Sequence, residues 1–238
     1  MSLEENKILI ISPTYNEKEN IRNFIVPITN LNLDLLVIDD NSPDGTGEII
    51  KEFQKSNKNI YLIQREKKMG LGSAYRDGFN WAIDKEYDYI IEMDFDLSHR
   101  IEDLIKIIDQ LDGYDLVVGS RYINGGKIIG WDKKRLYLSK IANLLSRVLL
   151  GHKVNDSTSG FRAFKKESIN KTEYFNTKSE GYFFQIEIIY NSYKNGLKIK
   201  EVPITFINRI DGLSKIDLYI IYEAARNLII LFFNTLKR

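Results

Sequence analysis

Two aspartates separated by one residue, Asp94 and Asp96, carry the clearest chemical signal in the sequence. They close an apolar run, residues 87–94, that is typical of a buried strand, and residues i and i+2 of a strand face the same way. Two carboxylates placed so cannot both be buried without partners, because desolvation is costly for each. A divalent cation removes that cost and keeps coordination positions for phosphate oxygens and water. The pair therefore predicts a metal site for a diphosphate, while a solvated acidic turn or a helix N-cap is left open.

A polar segment follows the first apolar run, residues 7–12, at the place where a nucleotide would lie in an α/β fold. Pro13 fixes the chain there, Tyr15 can stack on or flank a base, and Glu17 can accept a hydrogen bond from a base or a ribose. The alternative is an ordinary helix start with Asn16 as its N-cap. We prefer that interpretation for Asn16 alone.

Asp39 and Asp40 close a second apolar run, residues 33–40, where an acidic side chain can bind a ribose hydroxyl. Neighbouring side chains of a strand point to opposite faces, so only one of the two aspartates need face the ligand. The first strand is not followed by a GxGxxG segment, and the sequence has no GxxxxGK[ST] segment. These absences count against a dinucleotide-dependent oxidoreductase and a P-loop protein.

Candidate phosphate ligands lie in the second half of the chain. Arginine suits bidentate contacts with phosphate, and Arg121 and Arg209 are placed at predicted strand ends. A solvated surface is the alternative for Lys133 and Lys134. The whole set comprises Arg121, Lys133, Lys134, Arg135, Arg209 and Lys215.

Three further side chains are of types that can act as functional groups. His99 and His152 are the only histidines, and neither lies in a pattern typical of a triad or a zinc site, so we expect structural roles for both. Asp156 lies in a polar loop before a predicted strand and could face an acceptor.

The elements that must position these groups alternate along the first half. Near-continuous apolar runs separated by helical patterns predict a mostly parallel sheet covered by helices on both faces. Ligands of such a Rossmann-like α/β unit bind outside the carboxyl ends of the strands. The predicted strands are residues 7–12, 33–40, 59–64, 87–94 and 115–120, and the predicted helices are 17–31, 45–56, 70–84 and 101–111.

The second half follows a different pattern, which we assign to the acceptor side. We predict one domain, with a nucleotide-binding donor half at 1–122, an acceptor half at 123–213 and a C-terminal amphipathic helix at 214–238. The predicted elements of the second half are a loop at 122–132, a basic helix at 133–150, a polar stretch leading into a strand at 153–164, a helix at 180–195 and a long strand at 197–208.

Composition bounds the function classes. The net charge of +1 gives no general attraction to nucleic acid, and the absence of cysteine excludes disulfides, thiolate catalysis and cysteine-based zinc sites. Residues 1–7 lack the apolar core of a signal peptide, and no uncharged run approaches the roughly 20 residues that span a bilayer. The last helix would lie on a membrane or on a small anchoring subunit, or else pack on its own domain.

Taken together and in order, the motifs resemble the polyprenyl-phosphate hexosyltransferases, of which dolichol-phosphate mannose synthase is the nearest type. The resemblance runs from about residue 8 to 215. The segments that carry it are PTYNE, VIDDNSPDGT, REKKMGLGSAYRDGF, MDFDLSH, VVGSRY, GWDKKR, NDSTSGFRAF, EGYFFQIEI and NRIDGLSK.

The resemblance implies a GT-A fold, a Mg²⁺ or Mn²⁺ cofactor, and inverting transfer of mannose from GDP-mannose to a polyprenyl (dolichyl) monophosphate. It implies catalytic roles for Asp96, Arg121 and Arg209 and metal ligands at Asp94, Asp96 and Ser98. It places Arg135 and Ser139 at the acceptor phosphate. Since that acceptor is a membrane lipid, the resemblance also implies a cytoplasmic protein attached peripherally to the cytoplasmic face of a membrane. The implied donor contacts are Pro13, Tyr15, Glu17, Ile38, Asp40, Asp94, Phe95, Asp96, Arg121, Arg209 and Lys215.

Two positions depart from the pattern of many members of that family. Ser98 stands where many have glutamine, and Phe95 stands between the aspartates where alanine is frequent. The alternatives that the sequence leaves open are a UDP-glucose-dependent transferase acting on polyprenyl phosphate or a growing polysaccharide, and a catalytically silent nucleotide-sugar-binding subunit of a membrane complex.

Overall fold

The computed structural model describes residues 6–177, 179, 183–208 and 218–236. Strands and helices alternate through most of this length, as the apolar runs predict. The strands are β1 (Ile8–Thr14), β2 (Asp34–Asp39), β3 (Ile60–Gln64), β4 (Tyr89–Glu92), β5 (Leu116–Ser120), β6 (Lys127–Ile129), β7 (Arg162–Lys165), β8 (Ile199–Pro203) and β9 (Thr205–Ile207). The helices are α1 (Ile21–Asn30), α2 (Thr46–Ser56), α3 (Leu71–Ile83), α4 (Ile101–Ile108), α5 (Lys133–Leu150), α6 (Phe183–Lys194) and α7 (Leu218–Leu236).

Seven of the strands form one central sheet in the order β3-β2-β1-β4-β7-β5-β8. All of its neighbouring pairs are parallel except those of β7, which runs antiparallel to both β4 and β5. The mostly parallel sheet is therefore confirmed. Since β7 is antiparallel, the loop before it reaches the sheet edge at which β4 and β5 end.

Apolar side chains cover both faces of the sheet. In β1, Ile8 and Ile10 belong to a core cluster with side chains of α1 and α4. Leu9 and Ile11 belong to a second cluster with side chains of α3 and α6. This alternation follows from the two-residue period of a strand, and it confirms the prediction of helices on both faces.

Three predicted element boundaries in the fold were wrong. The first helix begins at Ile21, after a 3₁₀ turn at Lys18–Asn20, so Asn16 does not cap it. The predicted loop at 122–132 contains β6, which pairs with β9. The predicted strand at 197–208 divides after Pro203, where the chain leaves β5 and continues beside β6.

Helices α5, α6 and α7 pack together through a third apolar cluster of Leu150, Phe183, Ile186 and Leu228. Within the part of the chain that is described, no helix is long and apolar enough to cross a membrane. The division of the chain at 122 and 213 stays a prediction.

Candidate active site

A cavity of about 580 Å³ lies at the carboxyl ends of the central strands. Its polar wall comes from the segments that follow β1, β2, β4 and β5, and includes Tyr15, Asp40, Asp94, Asp96 and Arg121. Its apolar wall comes from the helices, with Leu138, Ile141, Ala142 and Leu145 of α5, Phe183 and Ile186 of α6, and Ala224, Ala225 and Leu228 of α7. One cavity thus has a charged wall and an apolar wall.

Asp94 and Asp96 lie in a turn beyond the end of β4 at Glu92, not on the strand. The prediction that strand alternation aims both carboxylates the same way was therefore wrong. The turn itself brings both to the polar wall. Leu97 has a positive φ of 62°, and its neighbour Ser98 donates a backbone N–H to Asp96 Oδ1 at 3.0 Å. A left-handed residue is uncommon outside glycine, so this turn is held by local contacts.

The side chains of Tyr75 and His99 lie next to the carboxylate of Asp94. The Tyr75 hydroxyl donates to Asp94 Oδ1 at 3.4 Å, and burial together with the charge of Asp94 keeps the pKa of Tyr75 well above its usual range. His99 Nε2 lies 4.0 Å from Asp94 Oδ2, while its Nδ1 accepts the Asp94 backbone N–H at 3.2 Å. These contacts of Tyr75 and His99 hold Asp94 in position in the acidic turn.

His99 was assigned a structural role on the sequence, and it does pack flat on Phe161 with ring centroids 4.5 Å apart. It also lines the cavity beside the acidic pair, which the sequence analysis missed. Its position three residues after Asp96 was the available signal. Burial lowers the pKa of His99 to about 4, against the opposing charge of Asp96. The ring is therefore neutral near pH 7.

The predicted nucleotide contacts Pro13, Tyr15, Glu17 and Asp40 all line the polar wall. Lys68 Nζ stands 3.9 Å over the Tyr15 ring, a contact that the sequence analysis did not foresee. The site residues are thus brought together from the segments after β1, β2 and β3.

Of the two adjacent aspartates, Asp40, just after the end of β2, lines the cavity, and Asp39, the last residue of the strand, does not. Asp39 is buried and accepts the Ser42 hydroxyl at 2.5 Å. Asp40 lies 3.1 Å from Arg65 Nε and accepts the Met69 backbone N–H at 3.2 Å. Burial raises the pKa of Asp40, and the Arg65 charge partly offsets that rise.

The other three predicted ligand contacts, Ile38, Phe95 and Ser98, have buried side chains. The side chains of Ile38 and Ser98 are buried and are not part of the cavity lining. Phe95 is part of the cavity lining, but its ring is buried in the core and stacked on Phe24 at 4.3 Å between centroids. Donor contact by Ile38 and Phe95, and metal ligation by Ser98, stay predictions.

Arg121 is held by a buried carboxylate. Its Nε and Nη2 donate to Asp156 Oδ2 and Oδ1, both at 2.7 Å, and Nη2 also donates to Thr158 Oγ1 at 2.9 Å. Burial alone would lower the pKa of Arg121, but the charge of Asp156 outweighs it and the pKa is raised. Asp156 is fully buried, so the idea that it faces an acceptor was wrong. It fixes a permanent cation at the cavity.

Arg135 and Ser139 lie one turn apart on the cavity side of α5. Arg135 donates through Nη1 to Asn208 Oδ1 at 2.9 Å, and its guanidinium stacks 4.0 Å from the Trp131 ring. Ser139 Oγ accepts the Tyr122 hydroxyl at 2.8 Å. Both predicted acceptor residues therefore border the same cavity as the acidic pair. Arg209 and Lys215 lie outside the described residues.

The acidic turn fits a divalent ion. No group of three metal-ligating His, Cys, Asp or Glu side chains occurs in the described ranges. Mg²⁺ is commonly held by one or two carboxylates plus waters and substrate phosphates, without a full protein cage. Asp94 and Asp96 supply that kind of incomplete set, at a cavity wide enough for a diphosphate.

Comparisons with known proteins agree on the family. The model of glycosyl transferase family 2 matches residues 9–172. A polyprenol monophosphomannose synthase of Mycolicibacterium smegmatis is 41% identical over 215 residues, which cover 89% of this chain and 81% of that protein. An undecaprenyl-phosphate mannosyltransferase of Micrococcus luteus is 37% identical over 228 residues, covering 93% and 92%.

A similar fold occurs in the solved structure of a Pyrobaculum calidifontis mannosyltransferase in complex with GDP-mannose and Mn²⁺. The TM-score is 0.59 at 15% identity, and the match covers 98% of this chain and 64% of that chain, somewhat less than two thirds of its length. The GT-A fold and the resemblance to the polyprenyl-phosphate hexosyltransferases are both confirmed. The chain is a glycosyltransferase and belongs to glycosyl transferase family 2.

Proposed function

We propose that this protein transfers mannose from GDP-mannose to a polyprenyl monophosphate, with inversion at the anomeric carbon and with Mg²⁺ or Mn²⁺ bound at Asp94 and Asp96. The names of the two curated relatives support the mannose and the lipid phosphate. The GDP-mannose and Mn²⁺ of the Pyrobaculum structure support the donor and the metal.

The observation that carries the proposal is the order of side chains along α5. The residues that line the cavity run from Arg135 through Leu138 and Ser139 to Ala142 and Leu145, at the three- and four-residue spacing of one helix face. A cation and a hydroxyl thus come first and apolar side chains follow, over roughly 15 Å at 1.5 Å per residue. A lipid phosphate has the same order, with an anionic head and an apolar tail.

The reaction is a single displacement. An oxygen of the acceptor phosphate attacks C1 of the mannose, the bond from C1 to the diphosphate oxygen breaks, and GDP leaves with the electron pair. An α-linked donor gives a β-linked mannosyl phosphate. Bound at Asp94 and Asp96, the metal would supply Lewis-acid neutralisation of the leaving diphosphate, and Arg121 adds a permanent cation to the same wall.

No protein base is required for this step. The second pKa of a phosphate monoester is near 6, so the acceptor is largely a dianion at neutral pH. What it needs is positioning against the charge of the donor. The guanidinium of Arg135, stacked on Trp131, and the hydroxyl of Ser139 are placed for that. The neutral state of His99 fits this account, because its low pKa makes it a weak base.

We place the enzyme on a membrane surface, with α5 and α7 against the lipid. Apolar side chains that are about half exposed or more concentrate on these two helices: Tyr137 66%, Ile141 52%, Leu144 51%, Leu145 45% and Val148 69% on α5, and Ile229 52%, Ile230 44% and Phe233 56% on α7. Lysines 133, 134 and 140 lie on α5 beside them and favour anionic headgroups. Attachment to the cytoplasmic face, and an anchoring subunit as a second partner, are part of the proposal.

A donor panel tests the proposed function. The protein is incubated with a short-chain polyprenyl phosphate and either GDP-mannose, UDP-glucose or GDP-glucose, with Mg²⁺, with Mn²⁺ or with a chelator. We expect transfer from GDP-mannose, loss of transfer with the chelator, and a β-anomeric product by NMR. An α-linked product would contradict the single displacement, and transfer from UDP-glucose alone would replace the donor.

A further inference from the structure

Gln185, near the start of α6, lines the cavity with a buried and incomplete set of hydrogen bonds. The side chain is 1% exposed. Its Nε2 donates to Glu92 Oε2 at 3.2 Å. Its Oε1 is buried and has no hydrogen-bond partner in the described part of the chain. A buried acceptor left without a donor is costly, so this oxygen is a candidate for a ligand contact.

A buried charge network fixes which way the amide points. Glu92 is fully buried on β4 and accepts the Tyr174 hydroxyl at 2.5 Å as well as the Gln185 amide. Burial raises the pKa of Glu92, and the nearby Arg162 charge opposes that rise. Arg162 also donates to the Gln185 backbone carbonyl at 2.8 Å. Because the Glu92 carboxylate accepts a hydrogen bond from Gln185 Nε2, the Oε1 atom of Gln185 points away from Glu92.

The amide lies close to the acidic turn. The position that a Cβ would occupy on Gly160 is 3.6 Å from Asp94 Oδ1 and 3.9 Å from Gln185 Nε2. Gly160 also lines the cavity, and its lack of a side chain leaves the space between the two groups open. A group bonded to a diphosphate at Asp94 would enter that space. In a nucleotide sugar, this group is the hexose.

We infer that Gln185 Oε1 accepts a hydrogen bond from one hydroxyl of the transferred hexose, and that Gln185 is a specificity residue for the sugar. The inference rests on the proposed function, since it assumes a nucleotide sugar at the polar wall. The inference goes beyond the proposed function because it names the atom that recognises the sugar. A site that holds a buried acceptor for a substrate hydroxyl discriminates against analogues that lack this hydroxyl.

Binding measurements on Gln185→Met test this directly, because methionine keeps the approximate volume and removes the acceptor. The affinities for GDP and for GDP-mannose are measured by calorimetry with Mn²⁺ present. We expect the variant to bind GDP within about twofold of the parent and GDP-mannose about 10-fold more weakly, the scale of one lost hydrogen bond. A series of GDP-deoxymannose donors, each lacking one hydroxyl, extends the test. The parent should bind one of them about 10-fold more weakly than GDP-mannose, whereas the variant should bind that donor and GDP-mannose equally well.

Ser192→Ala is the matched control. Ser192 lies on the same helix, is fully buried, has a hydroxyl without a partner among the described residues, and does not line the cavity. Its ratio of GDP to GDP-mannose affinity should stay at the parent value. If Gln185→Met fails to fold, Gln185→Asn replaces it, because asparagine keeps the amide but withdraws it by one methylene.

The outcomes separate the two proposals. Equal weakening of GDP and GDP-mannose, or equal losses for every deoxy position, would overturn the role of Gln185 and leave the transfer reaction standing. If the parent protein binds and transfers another hexose, the donor assignment fails instead. In that case the affinities of the parent and of Gln185→Met for that nucleotide sugar and for its nucleotide decide whether Gln185 recognises the sugar.

Discussion

The two walls of the cavity are built in different ways. The polar wall is made of short segments after strands, and two of its charged groups are held by buried partners: Asp156 holds Arg121, and Arg65 holds Asp40. The apolar wall is made of whole helices, and two of them, α5 and α7, keep exposed apolar side chains, such as Val148 of α5 and Phe233 of α7. The difference indicates that the polar wall needs fixed geometry and the apolar wall needs area.

This contrast follows from the chemistry of the ligands. Charge stabilisation at a breaking bond depends on donors and charges that are already in place. Contact with a lipid tail or a bilayer is non-directional and grows with the apolar area that is buried. Removing one group should therefore be severe in the polar wall and mild in the apolar wall.

The largest effect is expected at Asp96. Asp96→Asn keeps the size of the side chain but removes the negative charge that would hold the ion beside the leaving diphosphate. We expect the rate of transfer to fall about 1000-fold, equivalent to roughly 4 kcal/mol of transition-state stabilisation. Single-turnover transfer from radiolabelled GDP-mannose, together with calorimetric titration of Mn²⁺ in the presence of GDP, measures both consequences.

Asp112→Asn serves as the control, because Asp112 is an exposed aspartate that is not part of the cavity lining. It should transfer at the parent rate. A parent-like rate in Asp96→Asn would show that the acidic turn does not act in the reaction, and the contrast between the two walls would then lose its chemical basis.

The position of the polar wall could be predicted from the sequence, but its local geometry could not. Apolar runs locate strand ends, and Tyr15, Asp40 and Arg121 each follow such a run, so their convergence on one edge follows from a parallel sheet. The turn at Asp94 and Asp96 depends on the left-handed backbone of Leu97, a residue type with no preference for that conformation.

Strand β7 shows a second limit of sequence patterns. Its first residue, Arg162, is a charged residue that argues against a central strand, yet it is fully buried there. The charge is tolerated because Glu92 of the neighbouring strand β4, which accepts the Tyr174 hydroxyl, supplies an opposing charge. Such long-range compensation leaves no periodic signal, and it is also what fixes Gln185.

The two histidines give a stability test that compares the walls. His99 lies in the polar wall, and His152 packs against α5 with Nε2 at 2.8 Å from Ser146 Oγ. Burial lowers the pKa of each to about 4. In the unfolded chain the histidines have an ordinary pKa near 6.5, so they bind protons at a pH where the folded protein leaves them neutral. The free energy of unfolding should therefore fall as pH is lowered from about 6.5 to 4, by up to about 3 kcal/mol for His152.

Urea unfolding across this pH range, in the parent and in His152→Asn, measures that contribution. The variant should lose less stability between the two pH limits, and the dependence that remains should include the contribution of His99. Below about pH 4 both states are protonated, and no further loss from His152 is expected. An unchanged pH slope in the variant would show that His152 is protonated in the folded protein and that the region behind the apolar wall is wetter than its burial indicates.

The smallest effect is expected at the outer side of the apolar wall. Leu144→Glu combined with Val148→Glu replaces two exposed apolar side chains of α5 by carboxylates, which repel anionic lipid and remove apolar contact area. We expect binding to anionic vesicles in a flotation assay to weaken about 10-fold, since one such side chain is worth roughly 1.5–3 kcal/mol when fully buried and only part of that is gained at an interface.

Val26→Glu is the matched control, because Val26 is 37% exposed on α1. GDP binding should be unaffected in the double variant and in the control. Equal flotation of all three proteins would mean that α5 does not face the lipid, and the exposed side of the apolar wall would then have to be explained by contact with another protein.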